Sequence, residues 1–323
     1  VKAGVRVTVT GGAGFIGSNL VHQLLRNPAI GAVTVIDDCS TGTVERLAAD
    51  RSAIDFRLAS ILDPDAVTDA VAGADAVVHL AALGSVPRSI QHPLASHHAN
   101  ATGTLQVLEA CRRADGPLLI AASSSSVYGA NPRLPRAEDS VTMPVSPYAV
   151  TKLATEAYLG AYHASFGLPV LPLRLFNVFG PGQRAGHPYA AVIPRFITAM
   201  LAGEPIQVHG DGTQTRDWTF VDTVCQVIGA AIVDRVTSPW PVNLAFGTQH
   251  SVLEVATEIA DLLGRELTVE HTAPRPGDVA HSHADPARLR ALFPAVTTCG
   301  LREGLARTIA WHHELGEVSR CTS

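Results

Sequence analysis

Lysine, charge and paired cysteines are all scarce in this chain of 323 residues, and each shortage excludes something. Charged residues make up only 16%, with a formal balance of −5, so the basic face that a nucleic-acid partner requires is not expected. No apolar run reaches the ~20 residues of a membrane span, so no membrane partner is expected. The five cysteines (Cys39, Cys111, Cys225, Cys299, Cys321) are odd in number, scattered, and never spaced Cys-x-x-Cys. Neither a disulfide framework nor a metal site is expected from them. The N-terminal VKAGVRVTVTGG reads directly as strand, without the features of a secretory leader, and a cytoplasmic protein is expected. Of 24 basic residues only Lys2 and Lys152 are lysine. A chain that otherwise uses arginine thus keeps a compact ammonium at position 152, where a point charge suits a phenol and a ribose better than a planar fork.

What is present begins with 46% hydrophobic residues, enough for a globular α/β core. Lys152 closes the segment SPYAVTK, in which Pro147 suits a helix start and Tyr148 stands four residues before the lysine. That spacing puts both side chains on one helix face. An ammonium beside a phenol favours the phenolate, so the pair reads as acid–base machinery.

Residues 5–10 read as a strand and GGAGFIG follows it, with a helix expected from about Ser18 to Arg26. Gly11, Gly14 and Gly17 form the dinucleotide pattern, permitting a tight turn, close approach of a diphosphate and close helix packing. With Phe15 and Ile16 they line a helix N-terminus whose N–H groups favour phosphate. A second strand ends at Asp37, twenty residues after Gly17, where a carboxylate accepts ribose hydroxyls and repels a 2′-phosphate. The cofactor expected is therefore NAD.

Further strands are expected at 54–58, 75–82, 118–129, 168–180 and 242–247. Helices are expected over 63–71, from Asn100, from Pro147 to about His163, over 223–236, over 251–263 and from about Arg302 to His313. Ala81 is small, as suits backbone passing close to a cofactor. Asn100 either satisfies buried backbone groups or supports the active site. The fold class is α/β, a Rossmann-type doubly wound parallel sheet with a smaller α/β substrate-binding lobe. Residues 1–176 form the NAD-binding domain, with 221–247 returning to it, and 177–220 and 248–323 form the nucleotide-sugar lobe.

The ordered set TGGAGFIG, the serines before VYG, SPYAVTK, RLFNVFGP and GDGTQTRDWTFV resembles the extended short-chain dehydrogenase/reductase family, in its UDP-galactose 4-epimerase-like branch of nucleotide-sugar epimerases. The resemblance implies that Tyr148 is the catalytic base, Lys152 a cofactor-ribose ligand and Ser124 the third catalytic member. It implies that Asn177 contacts a UDP-sugar, that Arg216 and Arg275 hold its diphosphate, and that Asp278 meets the nucleotide ribose. It also implies a homodimer built on the helix after Asn100 and the helix carrying Tyr148. Where the family commonly has Gly-Asp-Ile after the third strand, this chain has Ala59-Ser60-Ile61.

Within that family, 4,6-dehydratases carry an Asp-Glu pair where Ser125 and Ser126 stand here, and related decarboxylases keep the Glu. Both chemistries are disfavoured, which leaves inversion at C4 through a transient 4-keto sugar. Ser282 occupies the place of a bulky Tyr in members that exclude N-acetyl groups, so a UDP-hexose or UDP-N-acetylhexosamine is the expected substrate. The competing expectation is UDP-glucuronate, with Ser125, Ser126 and Arg184 as carboxylate partners.

Overall fold

The alternation of buried apolar strands with amphipathic helices builds a seven-stranded sheet. The computed structural model describes residues 4–185, 190–273 and 279–321. The chain lays down β1 (Val5–Thr10), β2 (Ile30–Asp37), β3 (Asp55–Leu58), β4 (Ala76–His79), β5 (Leu118–Ser124) and β6 (Val170–Leu175). It then leaves for β7 (Asn177–Phe179), β8 (Ile206–His209), β9 (Thr215–Arg216) and β10 (Trp218–Phe220) before β11 (Val242–Leu244) rejoins the sheet. The order is β11-β6-β5-β4-β1-β2-β3, with every pairing parallel. Strands covered on both faces need continuous apolar runs, and Leu118 to Ala121 are all buried.

Helices α1 (Phe15–Leu25), α2 (Pro64–Val71), α3 (Val86–Gln91), α4 (Pro93–His97), α5 (Gly103–Arg113), α6 (Pro147–Phe166), α7 (Val192–Ala202) and α8 (Val221–Val233) pack around these strands. Leu20, Val21 and Leu24 of α1 join Val224, Ile228 and Ile232 of α8 in the core on one face. Val67, Val107, Leu108 and Leu159, from α2, α5 and α6, fill the other. The lobe has its own core, where Phe196 of α7 and Val255 and Ile259 of α9 (Val252–Leu263) meet Leu305 of the last helix, which spans Leu301–Cys321. Ser251 caps α9 in a full capping box with Glu254, as the spacing predicts.

Several elements differ from expectation: the strand expected over 118–129 ends at Ser124, that over 168–180 breaks into β6 and β7, and that over 242–247 ends at Leu244. Helix α1 begins at Phe15 rather than near Ser18, because extended Gly14 serves as its N-cap. The helix expected to open at Asn100 is preceded by α3 and α4, and residues His98–Thr102 make a single π turn leading into α5. Polar bonding holds that wide turn. Asn100 Oδ1 accepts from Leu83 N at 2.8 Å, its Nδ2 donates to Thr151 Oγ1 at 3.0 Å, and Thr104 Oγ1 donates to Asn100 O at 2.5 Å. The final helix runs on to Cys321, past the expected end at His313.

A buried polar cluster ties β11 to the rest. Asn243 Oδ1 accepts from the Tyr128 hydroxyl at 2.7 Å, its Nδ2 donates to Arg136 O at 2.7 Å, and its backbone N–H donates to Glu138 at 2.9 Å. Beside it, Arg174 on β6 makes a two-pronged bond to Glu156 on α6, at 2.8 and 2.7 Å. Among the described residues, no helix is long and apolar enough to cross a membrane.

Candidate active site

The carboxyl ends of the strands open into a cleft of about 630 Å³, bordered by Gly11, Asp37, Ser124, Tyr148 and Lys152 among others. At one end lies the turn after β1. Gly11 has φ +74°, and a Cβ there would lie 2.6 Å from Ala81 N; a Cβ on Gly17 would lie 2.2 Å from Gly11 O. Both positions therefore require glycine. No side chain caps α1, so its first-turn N–H groups face the cleft beside Phe15 and Ile16, available to phosphate. Asp37, only 8% exposed, anchors the next turn: its carboxylate accepts from Ala13 N at 2.9 Å and Cys39 N at 2.8 Å. Burial raises its pKa and those two bonds pull it back. Ala59, Ser60 and Ile61 line this end of the cleft, as does Ala81.

At the other end stands α6. Ser146 caps it, accepting from Ala149 N at 3.2 Å, and Pro147 occupies the first turn. Tyr148 is half-buried on the cleft wall, while Lys152 is 5% exposed and donates from Nζ to Ala122 O at 2.9 Å. Burial pushes the Lys152 ammonium down to about 8. Burial also pushes the Tyr148 phenol above its ordinary value, partly offset by a hydrogen bond with Ser124. The protein alone thus brings Tyr148, Lys152 and Ser124 together without producing a low-pKa phenol.

Behind them runs a chain of buried hydroxyls that sequence reading missed. His79 lies between Thr10 Oγ1 (2.8 Å) and Thr104 Oγ1 (3.0 Å), and Thr104 reaches Thr155 on α6 at 3.2 Å. Burial and the charge of Lys152 push His79 down to about 3, which keeps it neutral. Asn100 satisfies the Leu83 backbone, the first of its two expected roles, and also bonds to Thr151, one residue before Lys152.

Ser125 and Ser126 fall in a 3₁₀ turn, Ser125–Tyr128, in which Ser126 N donates to Ser124 Oγ at 3.1 Å. The Ser126 hydroxyl is buried and bonds to nothing among the described residues. In the lobe, β12 (His281–Ser282) pairs with β9 so that Ser282 stands opposite Arg216. Asn177 stands opposite Trp218, two residues further on. Arg216 donates to Thr215 O at 2.8 Å and Ala280 O at 3.3 Å. Its neighbour Asp217, another residue missed in the sequence, is fully buried and accepts from Gly247 N, Thr248 Oγ1 and Ala284 N at 2.8, 2.9 and 3.1 Å. That carboxylate fastens the Arg216–Ser282 pairing to the loop after β11. Arg184 is exposed at the cleft edge, and its charge acts on Glu45 and Arg46. Arg275 and Asp278 lie outside the described residues. No cluster of His, Cys, Asp and Glu able to hold a metal occurs among the described residues.

A parallel sheet, a glycine-floored turn at a helix N-terminus, an acid ending β2 and a Tyr–Lys pair on one helix face define a dinucleotide-dependent enzyme of the Rossmann class. The chain belongs to the NAD-dependent epimerase/dehydratase family, whose model matches residues 7–245. It is similar to UDP-glucose 4-epimerase of Mycolicibacterium smegmatis, at 36% identity over 94% of this chain and 97% of that one. It is similar to dTDP-glucose 4,6-dehydratase of Streptomyces niveus at 34%, over 96% and 93%. Among solved structures, UDP-N-acetylglucosamine 4-epimerase of Methanobrevibacter ruminantium, in complex with UDP-N-acetylmuramic acid, superposes with a TM-score of 0.90 at 35% identity, covering 97% of this chain and 99% of that one.

The residues present fit NAD. The glycine floor leaves no room for Cβ atoms, α1 offers uncapped N–H groups, and Asp37 retains lone pairs for ribose hydroxyls. Lys152 then supplies a pH test. At pH 8.5 an ammonium with a pKa near 8 is mostly neutral, and anionic phosphates with ribose acceptors favour its charged form. NAD binding at pH 8.5 takes up roughly half a proton per site, and binding at pH 6.5 takes up almost none from this group. Calorimetry in buffers of different ionisation enthalpy measures this, and equal uptake at both pH values removes Lys152 from the ribose.

Proposed function

We propose that the chain is a UDP-sugar 4-epimerase acting on a UDP-hexose or UDP-N-acetylhexosamine. What carries the reading is the distribution of acids. Among the described residues lining the cleft, the carboxylates are Asp37, which ends β2, and Asp38 after it, whereas the Tyr148 end offers the hydroxyls of Ser123 and Ser124. Loss of water from C5 and C6 needs an acid and a base beyond Tyr148, and inversion at C4 does not.

Tyr148 takes the proton of the C4 hydroxyl, directly or through Ser124, and later returns it to the same oxygen. Lys152 favours the phenolate by its charge and holds the cofactor ribose. Bound NAD supplies the hydride acceptor and donor and ends each cycle unchanged. Arg216 and Arg275 grip the diphosphate and Asp278 meets the nucleotide ribose. Asn177 contacts a hexose that must be able to turn over. Ser282 leaves room for a C2 N-acetyl group.

The test is a panel of UDP-glucose, UDP-N-acetylglucosamine and UDP-glucuronate, each assayed for its C4 epimer. No epimer from any of them, with NAD still bound, defeats the proposal; preferential turnover of UDP-glucuronate moves it to the uronate. Ser282→Tyr is expected to lower activity on UDP-N-acetylglucosamine by about tenfold or more while sparing UDP-glucose. Equal effects on both would remove Ser282 as the gate.

We also propose a homodimer through α5 and α6. Val150 and Tyr158 of α6 lie open, apolar surface that a second copy would cover. Sedimentation velocity should give twice the 33.9 kDa chain mass; a single-chain mass at micromolar concentration would refute the dimer.

A further inference from the structure

Two arginines, Arg46 and Arg184, line the cleft that Asp37 borders, and neither forms an ion pair among the described residues. Arg46 belongs to the 3₁₀ turn Val44–Leu47 and donates to Ala13 O, at 3.3 Å, in the glycine turn itself. The same carbonyl accepts from Thr43 N at 3.1 Å, so this turn is seated on the dinucleotide loop. The Nε of Arg46 is sealed from solvent and has no partner. Arg184 comes from a different segment, the one that follows β7. Its segment is tied to the first turns of α1 by Asn19, which donates to Pro181 O at 2.9 Å and to Phe15 O at 2.9 Å. Both arginines line the cleft alongside Gly14, Phe15 and Asp37. Burial, and then the charge of Arg184, push Arg46 below its usual range, with Asp37 working the other way, so the two like charges act on one another.

Such a pairing of like charges is unfavourable until an anion lies between them. The anion must also suit the uncapped N-terminus of α1, which points to a phosphate. A ribose 2′-phosphate is excluded by its neighbour Asp37, whose carboxylate would repel it. We propose that Arg46 and Arg184 form a two-sided clasp on the diphosphate of the bound dinucleotide, Arg46 from the β2 side and Arg184 from the segment leading to the lobe. The clasp resists loss of the cofactor between turnovers. It takes Arg184 away from the sugar, so that a uronate carboxylate would have to be met by hydroxyls alone. The inference rests on the dinucleotide reading of the cleft and is independent of which sugar is converted.

The experiment uses the NAD-loaded protein. It is chased with excess NADH, and the gain in bound nicotinamide fluorescence reports the departure of NAD⁺; UDP affinity is measured in parallel by calorimetry. Arg46→Met and Arg184→Met are each expected to speed release about tenfold, the loss of one charge-assisted contact, with UDP affinity unchanged. Arg184 is exposed, so its variant keeps the fold even if the Arg46 variant is weakened. Unchanged release from Arg184→Met overturns the clasp. So does a loss of UDP affinity without faster release, which would assign the arginines to the substrate diphosphate. None of these readouts uses epimer formation, so failure here and failure of the 4-epimerase proposal are separable.

Discussion

Tyr148→Phe is expected to lower turnover roughly a thousandfold while the protein keeps its NAD. The ring remains, so its packing on the cleft wall is conserved and only the hydroxyl is lost. Ser124 then loses its hydrogen bond with the phenol and no other described cleft residue at that end replaces it, because the nearby titratable group, Lys152, donates to Ala122 O. Cofactor binding survives because the glycine turn, the α1 N-terminus and Asp37 are untouched. The measurements are single-turnover epimer formation and NAD content after gel filtration. Turnover near that of the parent protein would remove Tyr148 as the proton acceptor; loss of NAD together with activity would make its role one of binding.

The second large effect is on stability. Glu156→Leu strands Arg174, a guanidinium only 3% exposed, in a pocket built for its carboxylate. Burial works against that charge, and the hydrogen bonds that Arg174 donates to Glu156 are what hold its pKa above the usual range. Removing one partner of such a pair costs about 3–5 kcal/mol. The double variant Glu156→Leu/Arg174→Met, with neither charge, should recover most of this. Urea unfolding followed by circular dichroism compares the three proteins. A single variant within about 0.5 kcal/mol of the parent, or a double variant no better than the single, would show that the pair does not hold α6 to β6. Tyr148, Lys152 and Glu156 fall at i, i+4 and i+8 on one face of α6, so the contact that anchors Glu156 lies on the same helix face as the Tyr–Lys pair.

Much of this was legible in the chain because the signals are local. Glycine spacing, a strand-end acid and a four-residue Tyr–Lys interval depend on turn and helix geometry alone. They place Gly11, Gly17, Asp37, Tyr148 and Lys152 correctly around one cleft. The capping box at Ser251 is local in the same way. Residues whose roles come from distant partners were not legible. Arg46 reads as a surface residue until Ala13 O, 33 positions away, is seen beside it. Asp217 reads as part of a motif, and its burial depends on Gly247 and Ala284. His79 sits in an apolar strand run, and only the hydroxyls of Thr10 and Thr104 explain how its ring is satisfied. The π turn at Asn100 was hidden for the same reason, since the bonds that widen it come from Leu83 and Thr151.

The return of β11 to the sheet bears on how the molecule is made. A ribosome releases the first six strands well before Val242–Leu244. Until then β6 is an open edge, and Tyr128, Arg136 and Glu138 lack the Asn243 groups that satisfy them. The nascent chain therefore passes through a stage with an unpaired strand and a half-satisfied polar cluster, the kind of species that aggregates. Synthesis of the segment between β6 and β11 sets how long that exposure lasts, so a slow stretch of translation there would lower the yield of active protein without altering a single residue of the finished chain.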